Sequence, residues 1–242
     1  GTLCFNEVGG IDTSVVIGRQ VKVGNDGISG VVGSTAIHNL SKEQLETPPK
    51  YGDMYIDIGA SSKEEAAKYV SLGDLICFDS EFVELGGNCI KSKAIDDRAG
   101  CTAMIQLIRE GVEYDTYFVF NVQEEVGLRG SMVSAFSVAP DFAIVLEATT
   151  ASDIDGVCGA KKVCSVGNGP VVGFMDRSTV YDKELYKMAF EIAENLEIPC
   201  QTKTMIAGGN DSGAIHISRG GVRTIAVSLP CRYIHSPSCT AN

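Results

Sequence analysis

The sequence predicts two parts: a small, mostly β and barrel-like unit over residues 1–88, and an α/β layer over 89–242 with helices on both sides of a sheet. Two observations carry this. In the first part, short apolar runs are punctuated by Gly, Asn and Asp. From about residue 89, strand-like runs alternate with stretches of helical period. No internal repeat or low-complexity tract interrupts either part.

The β runs of the first part are Ser14–Ile17, Gln20–Val23, Gly30–Gly33, Met54–Ile58 and Leu75–Phe78, with Gly9-Gly10, Gly24–Gly27 and Gly86–Asn88 between or after them. One helix is predicted here, from a Ser61 or Ser62 cap through Val70. Residues 40–50 are polar, end in Pro48-Pro49 and read as a surface loop. In the second part Asp97–Glu110 reads as a helix, with Cys101, Met104, Ile105 and Ile108 on one face and Gly111 as its stop. Tyr117–Val122 reads as a buried strand, 129–136 as a short helix, and Phe142–Leu146 as another buried strand. Asp182 caps a helix carrying Leu185, Met188, Ala189, Ile192 and Leu196, with Pro199 beyond it. Thr202–Ile206 and Thr224–Leu229 read as strands separated by a helix near 212–219.

Bulk properties narrow the function. The 242 residues are 44% hydrophobic, enough for a core, and the net charge of −11 disfavours nucleic acid and anionic membrane surfaces as partners. No apolar stretch approaches the length of a membrane span, and no signal peptide is visible. The nine cysteines are scattered, without a Cys-x-x-Cys pair, which suits reduced thiols and a cytoplasmic location. The chain starts at Gly1 without an initiator Met, and an N-terminal part of the natural protein is expected upstream.

The chemistry gathers around Gln123-Glu124-Glu125-Val126-Gly127, two carboxylates at the end of the predicted strand 117–122. Such groups are costly there unless paired, hydrogen-bonded or metal-bound, although a solvated strand end is the blander reading. Asp96-Asp97-Arg98 follows the strand-like run Ile90–Ile95, Glu147 ends Phe142–Leu146, and His235 follows the strand 224–229. In open α/β sheets the site lies at the carboxyl ends of strands. An acidic cluster repels itself, and one or two divalent metals resolve the conflict. Mixed oxygen and nitrogen ligands suit zinc, cobalt or manganese.

Five strings carry a family resemblance: KAIDDRAG (93–100), NVQEEVGLRGS (121–131), LEATTASD (146–153), GGNDSGAIHISRGGV (208–222) and CRYIHSP (231–237). In this order they resemble the tetrahedral-aminopeptidase, or glutamyl aminopeptidase, family of dinuclear metallopeptidases, some of whose members carry an endoglucanase or cellulase label. The resemblance covers most of 85–237, and more loosely the small β domain. It implies a zinc-peptidase-like catalytic domain with a mixed sheet flanked by helices, residues 89–242, and a β-barrel-like domain, residues 1–88, serving oligomerisation and substrate access.

The same resemblance implies roles residue by residue. Asp96 bridges two divalent ions, zinc or cobalt, and the Asp96–Asp97 bond is cis. Glu125 and His235 complete one metal site, and Glu147 serves the other, where many relatives have Asp. Glu124 is the general base that takes a proton from a metal-bound water and passes it to the leaving amine. The implied function is release of N-terminal residues from peptides, by an enzyme that self-associates as a dimer or dodecamer. Relatives also use a histidine from a His-x-Asp motif ahead of the β domain. Neither His38 nor His216 fits it, so that segment is expected upstream of Gly1.

Asp97 and Arg98 either orient the bridging aspartate or form a charge pair at a helix start. Asp211, in Gly208–Ser212, either faces substrate or caps a helix. His38 and His216 read as structural. Two other readings stay open: a carbohydrate hydrolase, whose paired carboxylates must stand about 5 Å or more apart and so poorly fit adjacent Glu124 and Glu125, and a non-catalytic relative kept for assembly.

Overall fold

The computed structural model describes residues 1–242, which divide into two units. The first comprises Gly1–Val83 with His235–Ser238, the second Glu84–Ile234 with Cys239–Asn242.

The first unit is built on an antiparallel sheet of β1 (Thr2–Leu3), β2 (Gln20–Val23), β3 (Ile28–Ser34), β4 (Met54–Asp57) and β5 (Ile76–Phe78). Their order is β1-β4-β3-β2-β5, so β1 and β5 are its edges. Side chains alternate across a strand, and Val21, Val23, Val32, Met54 and Ile56 fall on one face and form the core with Val16. Full burial of each such side chain is worth about 1.5–3 kcal/mol. Gly30 is required at the centre of β3, because a Cβ there would stand 2.7 Å from Ile56 Cγ2.

Three expectations for this unit are corrected. Ser14–Ile17 is not a strand: Thr13–Val15 forms a 3₁₀ turn whose start is capped by the Asp12 carboxylate. Residues 40–50 are not all loop, because α1 (Lys42–Leu45) forms one turn there. Its cause is a capping box, in which Ser41 Oγ accepts the Gln44 N–H and Gln44 Oε1 accepts the Ser41 N–H. The helix expected through Val70 is the short α2 (Lys63–Ala66), capped by Ser62 as predicted.

The chain passes through β6 (Val83–Glu84) into the second unit, whose elements are β7 (Ile90–Ser92), α3 (Ile95–Glu110), α4 (Arg129–Val138), β8 (Phe142–Thr150), β9 (Val171–Val172), α5 (Lys183–Asn195), β10 (Gln201–Thr202), α6 (Ser212–Ile215), β11 (Arg223–Cys231) and β12 (Cys239–Ala241). A mixed sheet runs β10-β9-β11-β8. β11 and β8 pair in parallel from Arg223↔Phe142 to Cys231↔Thr150, while β11 and β9 are antiparallel. α3 packs on β8, and α5 and α6 pack on β11, which gives the predicted sheet flanked by helices. β12 pairs antiparallel with β7, and Cys231, Cys239 and Ala241 are buried with Ile95 and Ala148 beneath the start of α3.

Tyr117–Val122 is not a strand, and Tyr117 and Val122 are 74% and 67% exposed. Apolar content alone cannot make a strand: the segment has no ladder of hydrogen bonds to a neighbour. β8 is an edge strand of its sheet, which leaves Phe142 and Ile144 exposed where burial was expected. Ile105 and Ile108 of α3, and Met188, Ile192 and Leu196 at α5, are likewise exposed, while Cys101, Met104, Leu185 and Ala189 of the same predicted faces are half-buried. The strand expected over 202–206 is only β10, and the helix expected over 212–219 is only α6. Gly111 ends α3 at φ +82° and Asp182 caps α5 by accepting the Glu184 and Leu185 N–H groups, both as predicted.

Candidate metal centre

β7 delivers the chain to Asp96 and Asp97 through Ala94, which takes a left-handed conformation at φ +52°. Regular helix geometry starts only after Asp97, since Asp96 and Asp97 have ψ of 112° and 54°. The peptide bond between them is cis. Asp97 Oδ1 accepts the Gly100 N–H at 2.9 Å, which fixes its carboxylate at the head of α3.

Glu147 enters from β8. It does not end that strand, as the sequence suggested, but sits within it beside Ser228 of β11. The parallel register carries the strand on to Thr150, opposite Cys231, and Ala148 and Thr149 are both buried. Asp96, Asp97 and Glu147 each present a carboxylate oxygen within 4.8 Å of the others. Burial, more than any neighbour, pushes the Asp97 carboxyl up to about 7, with the Asp96 and Asp211 charges adding to it. Burial also pushes the Glu147 carboxyl far above the carboxylate range, helped by a hydrogen bond with Asp96 and by the charges of Asp96 and Asp97. Three hard oxygen donors that crowd and repel one another fit a divalent cation, which removes both the repulsion and the desolvation cost.

Glu124 and Glu125 lie in a turn, not at a strand end. Gln123 ahead of them has φ +59°. The turn is tied down from its far side: Gly127 and Leu128 N–H donate to Glu124 O, Arg129 N–H to Gln123 O, and Gly130 N–H to Val122 O. Gly130 is required, since a Cβ there would meet Val122 O at 2.5 Å.

His235 belongs to the first unit, with φ +58°. Its Nδ1 stands 2.9 Å from Gly10 O. A carbonyl only accepts, so Nδ1 carries the proton and the lone pair of the neutral ring lies on Nε2. His216 Nδ1 stands 2.8 Å from Ser212 O, which fits a structural role, and His38 lies exposed in a 3₁₀ turn. Arg98 is exposed at the start of α3. Asp211 is buried beside α6 and, against the capping alternative, makes no side-chain cap bond.

Sequence reasoning missed two residues. Gly100 admits the Asp97 carboxylate, and the DDRAG string shows a small residue there without saying why. Asn121 donates to Asp211 Oδ2 at 2.8 Å and was hidden inside a run read as strand.

The model of M42 glutamyl aminopeptidases matches residues 1–242. The chain belongs to the M42 glutamyl aminopeptidase family. It is therefore a peptide hydrolase of a metallopeptidase family, as the five strings implied. A relative from Acetivibrio thermocellus is 41% identical over the whole chain and 71% of its own length. An aminopeptidase from the archaeon Desulfurococcus kamchatkensis superposes with a TM-score of 0.93 at 34% identity, over 100% of this chain and 68% of its own. The Pyrococcus horikoshii TET1 peptidase, which can assemble into a tetrahedron or a large octahedral shell, superposes with a TM-score of 0.84 at 34% identity, over 100% of this chain and 72% of its own. No helix in this M42 chain is long and apolar enough to cross a membrane, and all nine cysteines are free.

Proposed function

We propose that this M42 chain is a metal-dependent aminopeptidase that removes N-terminal residues from peptides. The observation that carries the reading is the trio Asp96, Asp97 and Glu147, three carboxyl groups whose oxygens lie within 4.8 Å of one another where α3 packs on β8. Asp96 would be shared by one or two divalent ions, zinc or cobalt, with Glu125 and His235 as the further ligands of one and Glu147 as that of the other. The five family strings support these roles, and the Nδ1–Gly10 bond supports His235 as a ligand through Nε2. When bound, the ions acidify a water and polarise the scissile carbonyl.

The residues of the chain do the rest. Glu124 takes the proton from the attacking water and delivers it to the amine that leaves. The carbonyls of Gln123 and Glu124 are held by the N–H groups of Gly127, Leu128 and Arg129, which fixes the backbone that carries the Glu124 side chain. Asp97, fixed by the Gly100 N–H, orients Asp96 through the bond they share. The shells formed by the TET1 peptidase support self-association of this chain, with the first unit supplying contacts and restricting access to peptides. The scattered free cysteines support a cytoplasmic setting.

The test is hydrolysis of aminoacyl p-nitroanilides beside N-acetylated counterparts. Cleavage of the free-amine substrates alone, lost with chelator, supports an aminopeptidase. Equal cleavage of both, or cleavage unaffected by chelator, rejects it.

A further inference from the structure

Asp211 stands immediately before α6, where an aspartate ordinarily accepts a backbone N–H and caps the helix. Here it makes no cap bond. Its Oδ2 accepts instead from Asn121 Nδ2 at 2.8 Å, and Asn121 Oδ1 accepts from Ser134 Oγ of α4 at 2.8 Å. The residue is 8% exposed, and its Oδ1 is buried with no hydrogen-bond partner. An unsatisfied buried carboxylate oxygen is costly. The hydrogen bond that the Asp211 side chain does make is the one it accepts from Asn121.

Asn121 opens the turn that carries Glu124 and Glu125. The backbone of that turn is pinned by α4 and the residues leading into it, through the N–H groups of Gly127 to Gly130. Those bonds reach Val122, Gln123 and Glu124 but not Asn121. The entry to the turn is fixed by the Asn121 side chain, between Ser134 on one side and Asp211 on the other. Gln123 then takes its left-handed conformation between two anchored points.

We propose that Asn121 and Asp211 are positioning residues for Glu124: their hydrogen bond sets the entry of the 121–125 turn and thereby where the base carboxylate stands. The proposal rests on the reading of Glu124 as the base. The pair is chemically reversible, because exchanging the two side chains leaves an amide donor facing a carboxylate acceptor across the same contact. A lone Asn121→Asp change sets two carboxylates face to face. A lone Asp211→Asn change keeps an acceptor oxygen for Asn121.

The experiment is a double-mutant cycle on the metal-loaded protein with Asn121→Asp, Asp211→Asn and the double variant. It reads kcat and KM for an aminoacyl p-nitroanilide, bound metal per chain, and amide hydrogen exchange over 121–128. The expected result for Asn121→Asp is a kcat lowered about 10-fold or more, with KM and bound metal within about 2-fold of wild type and faster exchange in the turn. The double variant recovers exchange protection, and kcat to within about 3-fold. Should Asn121→Asp not fold, Ser134→Ala gives the milder form of the same result: faster exchange in the turn with kcat down about 3-fold. Unchanged exchange in the variants, or a double variant no better than Asn121→Asp, overturns the proposal. A wild type without peptidase activity but with exchange coupled through the cycle rejects the base assignment and leaves the anchoring of the turn standing.

Discussion

Gly100 holds the space that the Asp97 carboxylate occupies: a Cβ at Gly100 would lie 2.4 Å from Asp97 Oδ2 and 2.9 Å from Asp97 Cγ. Both sit in the first turn of α3, and the Gly100 N–H donates to Asp97 Oδ1. Alanine is ordinarily favoured over glycine in a helix by about 1 kcal/mol. Here the clash falls on a short, hydrogen-bonded side chain that cannot swing away without losing its bond. Gly100→Ala is therefore expected to lower Tm, and to lower kcat by about 10-fold or more through displaced Asp97. Thermal melts and steady-state kinetics check this, and a raised Tm with intact activity would falsify the role given to Gly100.

Asp182 links the start of α5 to the start of β11. Its Oδ1 accepts the Glu184 and Leu185 N–H groups, and Arg223 donates to both of its oxygens. The Arg223 guanidinium, followed by these N–H groups, holds the carboxyl well below its ordinary value of 3.8. A depressed folded-state value means stability present above the unfolded value and lost as pH falls through the folded one. Asp182→Ala is expected to cost about 1 kcal/mol at pH 7, as a lost cap does. The gap between wild type and variant should begin to narrow as pH drops below about 4. Urea melts at pH 7 and at pH 3 measure it, and an equal gap at both contradicts the sign.

Asp153 and Arg232 form a two-bond ion pair, Nε to Oδ1 and Nη2 to Oδ2, each at 2.6 Å, with the Asp153 carboxylate only 9% exposed. Arg232 is also bridged to Thr240 by paired backbone bonds. Removing one partner of a half-buried pair leaves a charge without its complement. Asp153→Ala is expected to destabilise by about 1–2 kcal/mol, while Asp153→Ala with Arg232→Met recovers part of the loss. Chemical denaturation of the single and double variants decides this; no recovery in the double variant would remove the charge-pair explanation.

The layer order and the acidic residues were legible in the sequence because they depend on local signals. Asp182 at a cap, Gly111 at a helix end and the alternating valines of β2 each announce themselves within a few residues. Tyr117–Val122 misled because apolar content signals burial but cannot supply a hydrogen-bonded neighbour. α1 is a single turn of four residues, too short for a helical period to show, and only its Ser41–Gln44 capping box marks it. Glu147 was named, but its place inside β8 depends on a register with β11 about eighty residues away, which no local pattern encodes. Asn121 and Gly100 were invisible for the same reason: one acts through Asp211 and the other through a space it leaves empty.

Glu124→Gln keeps shape and hydrogen-bonding capacity while removing the proposed base. It is expected to lower kcat by about 10²–10⁴ with bound metal unchanged. Metal analysis and kinetics on the same preparation check both halves. A variant that loses metal together with activity would make Glu124 a ligand instead of the base.

The proposed reaction requires divalent metal held by the carboxylate-rich centre around Asp96. It is tested most directly by metal content per chain, measured beside cleavage of aminoacyl substrates before and after chelation. The expected result is about two zinc or cobalt ions per chain, loss of both metal and cleavage on chelation, and recovery of both when either ion is returned. A chain that binds no divalent ion and cleaves no aminoacyl substrate under any of these conditions would contradict it.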